Sequence, residues 1–164
     1  MSVSSAELSK ELDAVSNYFV WKSNQAGKPI TNKKVQKLAY YSQAWNLVFN
    51  DGKDLFSEPI EAWMHGPAIR NLWYKYRKYG YQPISDIVED TDIKNDEKPL
   101  LDEIWRVYGK YDAGYLETLT HSEDPWLNAR EGLDLDETSS IVITNDSMLK
   151  YYTALNAWKT NSQD

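Results

Sequence analysis

The sequence predicts one mainly α-helical domain, compact, with about six helices and a minor two-stranded β element. Three observations predict it. Apolar residues recur at helical spacing along most of the 164-residue chain. Ser, Thr and Asp stand where helices would start, and Gly or Pro where they would stop. Only two short stretches, near 60–64 and 140–143, alternate or run apolar as strands do. The length is that of a single domain over residues 1–164.

Taken in order, Ser4 and Glu7 have capping-box spacing before Leu8, Leu12, Val15 and Phe19, and Gly27 with Pro29 stops that first helix. Thr31 is an N-cap for the second, with Ile30 and Val35 at hydrophobic-staple spacing. Val35, Leu38, Ser42, Trp45 and Phe49 continue its face until Asn50-Asp51-Gly52 turns the chain. Lys33 and Lys34 in its first turn oppose the helix dipole. Ile60, Ala62 and Met64 alternate with Glu61 and Trp63 as a strand that could pair with 140–143. Gly66-Pro67 reads as a turn with Pro67 at the first position of a third helix, whose face is Ile69, Leu72, Trp73, Tyr76 and Tyr79.

Residues 81–98 carry no periodicity and form a loop. A fourth helix runs from Asp96 or Lys98 to Tyr111. Asp112 caps a short fifth, and Asp124-Pro125 opens a shorter sixth. Thr144 or Asn145 caps the last helix, with Met148, Leu149, Tyr152, Leu155 and Trp158 on its face. Trp45, Trp73, Trp105 and Tyr152 are expected inside.

Composition excludes several chemistries. With no Cys and two His, the chain has no disulfide, no thiolate nucleophile and no three-His metal site. None of its seven Gly forms a dinucleotide or P-loop phosphate cradle. Asp90, Asp92 and Asp96 imitate a calcium loop, but Lys94 and Asn95 occupy positions the loop needs for a ligand and a glycine. No catalytic, cofactor or metal residues are therefore assigned. His65 and His121 are the only acid–base candidates of an enzyme reading. The run His121-Ser122-Glu123-Asp124 reads first as a helix end whose acids cap the next helix, and only then as half a metal site. His65 reads as a structural residue at a tight turn.

The chain carries a net charge of −7, with a pI near 4.9. Residues 1–84 hold 11 Lys/Arg and 7 Asp/Glu, and residues 85–164 hold 7 and 18. The acidic balance disfavours nucleic acid. The basic groups Lys33, Lys34, Lys37 and Arg70, Lys75, Arg77, Lys78 either neutralise the acidic half or form a charged partner surface. No apolar run spans a membrane and the N-terminus lacks a signal-peptide core, so the expected location is the cytoplasm.

Four blocks in order resemble one family. They are Tyr18-Phe19 with Ile30 to Trp45, including Lys37, Tyr40 and Tyr41; Leu55-Phe56 with Trp63, His65, Gly66, Pro67 and Tyr79-Gly80; Tyr108-Gly109 with His121, Trp126 and Arg130; and Ile143 with Tyr151-Tyr152. The pattern is similar to the Panacea, or SocA-like, antitoxin domain, over about residues 18–152. Ala39 stands where a larger apolar residue is usual, and His65 where an aromatic often precedes Gly-Pro. The resemblance implies a non-enzymatic antitoxin, associated with bacteria, prophages or phages, that neutralises a protein toxin encoded nearby by direct binding. It makes those motif residues structural or partner-binding, and points weight to the helix Thr31–Phe49 and the His65-Gly66-Pro67 turn. About 17 residues precede Tyr18, too few for the DNA-binding module that some members carry. Delivery of the toxin to a protease, a nucleic-acid-binding regulator and an enzyme centred on His65 or His121 are the alternatives. Oligomeric state is left open.

Overall fold

The computed structural model describes residues 7–89 and 93–161. Seven α-helices and a three-stranded antiparallel sheet follow in the order α1 (Lys10–Ala26), α2 (Asn32–Phe49), β1 (Ile60–Trp63), β2 (Gly66–Ala68), α3 (Arg70–Tyr76), α4 (Lys98–Tyr108), α5 (Ala113–His121), α6 (Asp124–Ala129), β3 (Val142–Ile143) and α7 (Asn145–Asn161). The predicted mainly α class with a minor β element is what the chain adopts.

Most caps stand where the sequence puts them. Gly27 ends α1 in the left-handed region at φ 66°, its amide turned back to the carbonyls of Ser23 and Asn24. The Thr31 hydroxyl accepts the Lys34 amide at 3.2 Å, and the staple pair Ile30 and Val35 is buried. Asp112 accepts the Tyr115 amide at 2.8 Å, and Thr144 accepts that of Ser147 at 3.1 Å. The first helix is the exception. Ser9 caps it by accepting the Leu12 amide, and Ser9 in turn is held by Glu58. Ser4 lies outside the described residues.

The central element is α2. It packs against α1, α3, α4, α5, α7 and β2, and fifteen of its eighteen residues are buried. A helix enclosed on so many sides cannot leave its polar residues in water, so each must find a partner. They find main chain. Gln36 accepts the Ile69 amide at 2.8 Å. Gln43 accepts the Leu55 amide at 2.6 Å and donates to the Phe56 carbonyl at 2.7 Å. Asn32 reaches the Trp73 carbonyl, and Asn46 that of Lys53. The one-sided amphipathic helix expected here is therefore a through-core helix. Phe49, expected on its buried face, is exposed at its far end.

The β element is larger than expected. Gly66-Pro67 does not open a helix: it is β2, paired antiparallel to β1 with Ala62 opposite Pro67 and Trp63 opposite Gly66. Pro67 is tolerated because β2 is an edge strand in the order β2-β1-β3. The expected pairing of β1 with β3 also forms, Ile60 opposite Ile143. The third helix starts later, at Arg70, and closes in a 3-10 turn, Arg77–Tyr79. The fourth stops at Tyr108, because Gly109 caps it, rather than running to Tyr111. Trp45 and Tyr152 are internal as expected, whereas Trp73 and Trp105 are only half-buried. Trp158 is exposed rather than on the packed face of α7.

Candidate functional site

The family-motif residues divide by burial. Lys37, Tyr40, Tyr41, Trp126 and Arg130 are buried, as are Gly66 and Pro67; Trp63 is half-buried and His65 exposed. Most of the buried ones make identifiable bonds. The Tyr41 phenol donates to Glu123 at 2.7 Å, Tyr152 donates to the same oxygen at 2.9 Å, and Tyr40 meets Tyr152 at 3.0 Å. Glu123 thus faces phenols in the core and makes no side-chain cap for α6, contrary to the capping role read for it. Burial pushes its carboxyl above the usual range, against the two phenol bonds.

Around α6, the Trp126 indole donates to the Trp63 carbonyl at 2.8 Å and stacks on His121 at 3.9 Å. Arg130 spans two strata. One guanidinium nitrogen donates to the Ala62 carbonyl in β1 at 2.9 Å, and another reaches the Asp134 carbonyl at 3.0 Å and that of Glu137. Burial lowers the His121 pKa, and its Nε2 is buried without a hydrogen-bond partner among the described residues. Of the two histidines, His65 faces the Glu117 carboxylate at 3.4 Å and His121 stacks on Trp126. Among the described residues, no group of three or more His, Asp or Glu could hold a metal ion. Asp90 and Asp92 of the calcium-loop imitation lie outside the described residues.

The charged clusters separate once folded. Lys34, set down as surface, is buried, because its ammonium donates to the Gly109 carbonyl at 2.6 Å. Lys75, expected outward, turns inward to Asp13, Ser16 and Asn17 at 2.8–3.0 Å. Arg70, Arg77 and Lys78 stay exposed, Arg77 lying over the Trp73 and Tyr74 rings. The ion pairs of basic-half residues with the acidic half are those of Glu117, with Lys33 and, at 3.4 Å, His65, among the described residues. Burial acts to raise the Glu117 carboxyl, but the bonds with Lys33 and His65 outweigh it and hold it below the usual range.

Lys33, His65, Arg70 and Trp73 help to frame a cleft of about 740 Å³. The first turns of α2 form one wall, the β1–β2 hairpin another, and α3 with residues 138–140 close it. Trp63 and Trp73 meet edge to face at 6.0 Å on its wall. Arg70 lies over the Trp63 ring and forks onto Glu61, with bonds of 2.7 and 3.2 Å. At the floor, the Lys37 ammonium donates to the Pro67 carbonyl at 3.1 Å. Gly66 makes room for it. Its φ is 106°, and a Cβ there would come within 2.7 Å of the Lys37 Cε and 3.0 Å of the Thr120 hydroxyl. Burial brings the Lys37 amine down to about 7, aided by Lys33 and opposed by Glu117.

Sequence reasoning found Lys37, His65 and Gly66 but missed the residues that complete the cleft. Trp73 and residues 138–140 carry no local signal and meet the others only through folding, with Glu117 standing behind Lys33. The helix Thr31–Phe49, favoured as a contact face, reaches the cleft only through its first turns, with Asn32, Lys33, Gln36 and Lys37.

Among the described residues, no helix is long and apolar enough to cross a membrane. No curated protein and no solved structure matches the chain. The family model for the SocA-like antitoxin, Panacea domain does match, over residues 35–127. That stretch runs from the second turn of α2 into α6 and takes in Tyr40, Tyr41, the β1–β2 hairpin and the His121–Trp126 stack. Because the match covers more than half of the chain, the chain belongs to the SocA-like antitoxin, Panacea domain family.

Proposed function

We propose that this domain is an antitoxin that neutralises a cognate protein toxin, encoded nearby, by binding it directly in the cytoplasm without catalysing a reaction. Membership in the SocA-like antitoxin family is the observation that carries the reading. The geometry supports it in two ways. The buried motif residues are engaged in internal bonds, so they serve as scaffold rather than as reaction centres. The cleft carries Trp, Tyr and Arg side chains, the residue types that anchor protein interfaces. The acidic balance of the chain favours a protein over nucleic acid as partner.

The test is co-expression with the product of the adjacent gene. Growth should be restored, and the two proteins should co-purify as a stable complex. A toxic neighbour that is neither relieved nor bound would refute the proposal.

A further inference from the structure

The cleft is electrostatically out of character with the rest of the molecule. The chain has 25 acidic residues and a net charge of −7. Yet no Asp or Glu lines the cleft, while Lys33, Lys37, Arg70 and His65 do. Two of these cations already have a carboxylate behind them, Glu117 behind Lys33 and Glu61 behind Arg70. Lys37 does not. It is 2% exposed, its one hydrogen bond is to the neutral Pro67 carbonyl, and it makes no ion pair among the described residues. An ammonium has three donors. A buried cation without a counter-ion is costly, and α2 adds the positive end of its dipole through Asn32 and Lys33 at the same wall. Beside this floor lie Trp63 and Trp73, whose rings meet edge to face and offer apolar contact to a side chain.

We propose that the cleft between the start of α2, the β1–β2 hairpin and residues 138–140 seats an acidic segment of the partner protein, one carboxylate of which docks on the Lys37 ammonium while an adjacent apolar residue lies against Trp63 and Trp73. The inference rests on the antitoxin reading for the identity of the partner, but not for the chemistry of the cleft. A peptide is favoured over a free anion because the cleft couples one cationic floor to an aromatic wall and to the exposed hydroxyl-bearing rim at Thr138 and Ser140.

The docked carboxylate supplies the counter-ion that Lys37 lacks, so binding takes up a proton wherever the free amine is neutral. The groups facing Lys37 are Lys33 on α2, His65 at the hairpin turn, and Glu117 and His121 on α5. The Lys37→Met variant, which keeps all of these, serves as the reference for pH. With the free amine at about 7, the protonated fraction falls about thirtyfold from pH 6 to pH 8.5, and apparent affinity falls with it.

The test needs no toxin. A displayed library of random twelve-residue peptides is selected on the immobilised chain, and the winners are titrated by tryptophan fluorescence at both pH values, with inorganic phosphate as competitor. The expected winners carry Asp or Glu beside an apolar residue. They should lose at least tenfold in affinity when the carboxylate becomes an amide, at least tenfold on K37M, and about thirtyfold from pH 6 to pH 8.5 on the native chain only. Ser140→Glu, which adds a carboxylate at the exposed rim and leaves the core alone, should weaken them as well. No enriched peptide, winners without acids, winners indifferent to both variants, or phosphate binding as tightly as peptide would each overturn the inference. Relief of toxicity in co-expression would stand in those cases. Acidic peptides bound as expected, beside a neighbour that is not neutralised, would overturn only the antitoxin reading.

Discussion

Replacing Glu123 with alanine should lower the stability of the domain by about 2–3 kcal/mol, whereas Glu123→Gln should change it by less than about 1 kcal/mol. The two phenols that donate to Glu123 have unequal alternatives. Tyr152 keeps Tyr40 at 3.0 Å once the carboxylate is gone. Tyr41 has no other hydrogen-bond partner among the described residues, and its ring stacks on Tyr108 at 4.0 Å. One buried phenol is therefore orphaned, at about 1–3 kcal/mol, and the lost side-chain volume adds to that cost. Release of a desolvated carboxylate offsets part of it. Glutamine keeps an oxygen where both phenols donate and carries no charge.

Urea unfolding followed by tryptophan fluorescence would measure these differences. In a chain of 164 residues, 2–3 kcal/mol corresponds to a fall in Tm of about 4–10 °C. The two variants also differ in their pH response. The Glu123 carboxyl is raised in the fold above its unfolded value, so its favourable contribution is complete below that value and fades as pH rises through the raised one. Glutamine has no such loss, so E123Q should gain on the native chain between pH 4 and pH 7. Equal destabilisation by Ala and Gln would show that the phenol bonds are not what Glu123 supplies. A gap between native and E123Q that does not move with pH would show that burial does not raise the carboxyl.

Three further outcomes are expected. Gly66→Ala should cost about 1–3 kcal/mol, because it forces a side chain into φ 106° and onto the Lys37 stem, and melting temperature is the check. Arg130→Met should cost about 2–4 kcal/mol and expose residues 131–140 to proteases, since the guanidinium is what holds the Asp134 and Glu137 carbonyls to β1. Lys37→Met should be more stable than the native chain at pH 6. Lys37 is depressed in the fold to about 7, so its charging penalty is full below that pH and is relieved as pH rises toward the unfolded lysine value; the advantage of K37M should shrink over that range in parallel denaturation curves.

What could be foreseen from the sequence is what depends on near neighbours in the chain. Gly27, Thr31, Asp112 and Thr144 mark helix ends through bonds to residues three or four positions away, and the structure has them there. Gly66-Pro67 shows the limit. A Gly-Pro pair suits a helix entry and a strand edge equally well, and pairing with Ala62 and Trp63 decided between them. The polar residues of α2 show it again. Gln36, Gln43 and Lys34 look like a solvated face until the loops that wrap the helix are in place. The cleft was legible in part, through Lys37, His65 and Gly66, while Trp73 and residues 138–140 joined it from elements that carry no shared signal.

The family motif has a physical consequence that bears on how one scaffold can meet a partner. Its buried polar side chains bond to main-chain atoms of the surrounding segments far more than to their side chains. Lys37 takes the Pro67 carbonyl, Gln36 the Ile69 amide, Gln43 the Leu55 amide and Phe56 carbonyl, Lys34 the Gly109 carbonyl, Trp126 the Trp63 carbonyl and Arg130 the Ala62 carbonyl. A bond to main chain is indifferent to which side chain that residue carries. The hairpin and loops are thus held in place chiefly from within, while outward side chains at the cleft such as Tyr81, 96% exposed, are left free to meet a partner. Lys37 serves both; for the rest, the scaffold and the contact surface are separable: substitutions of the other clamps should destabilise the domain, and substitutions of the outward residues should change what it binds at little cost to stability.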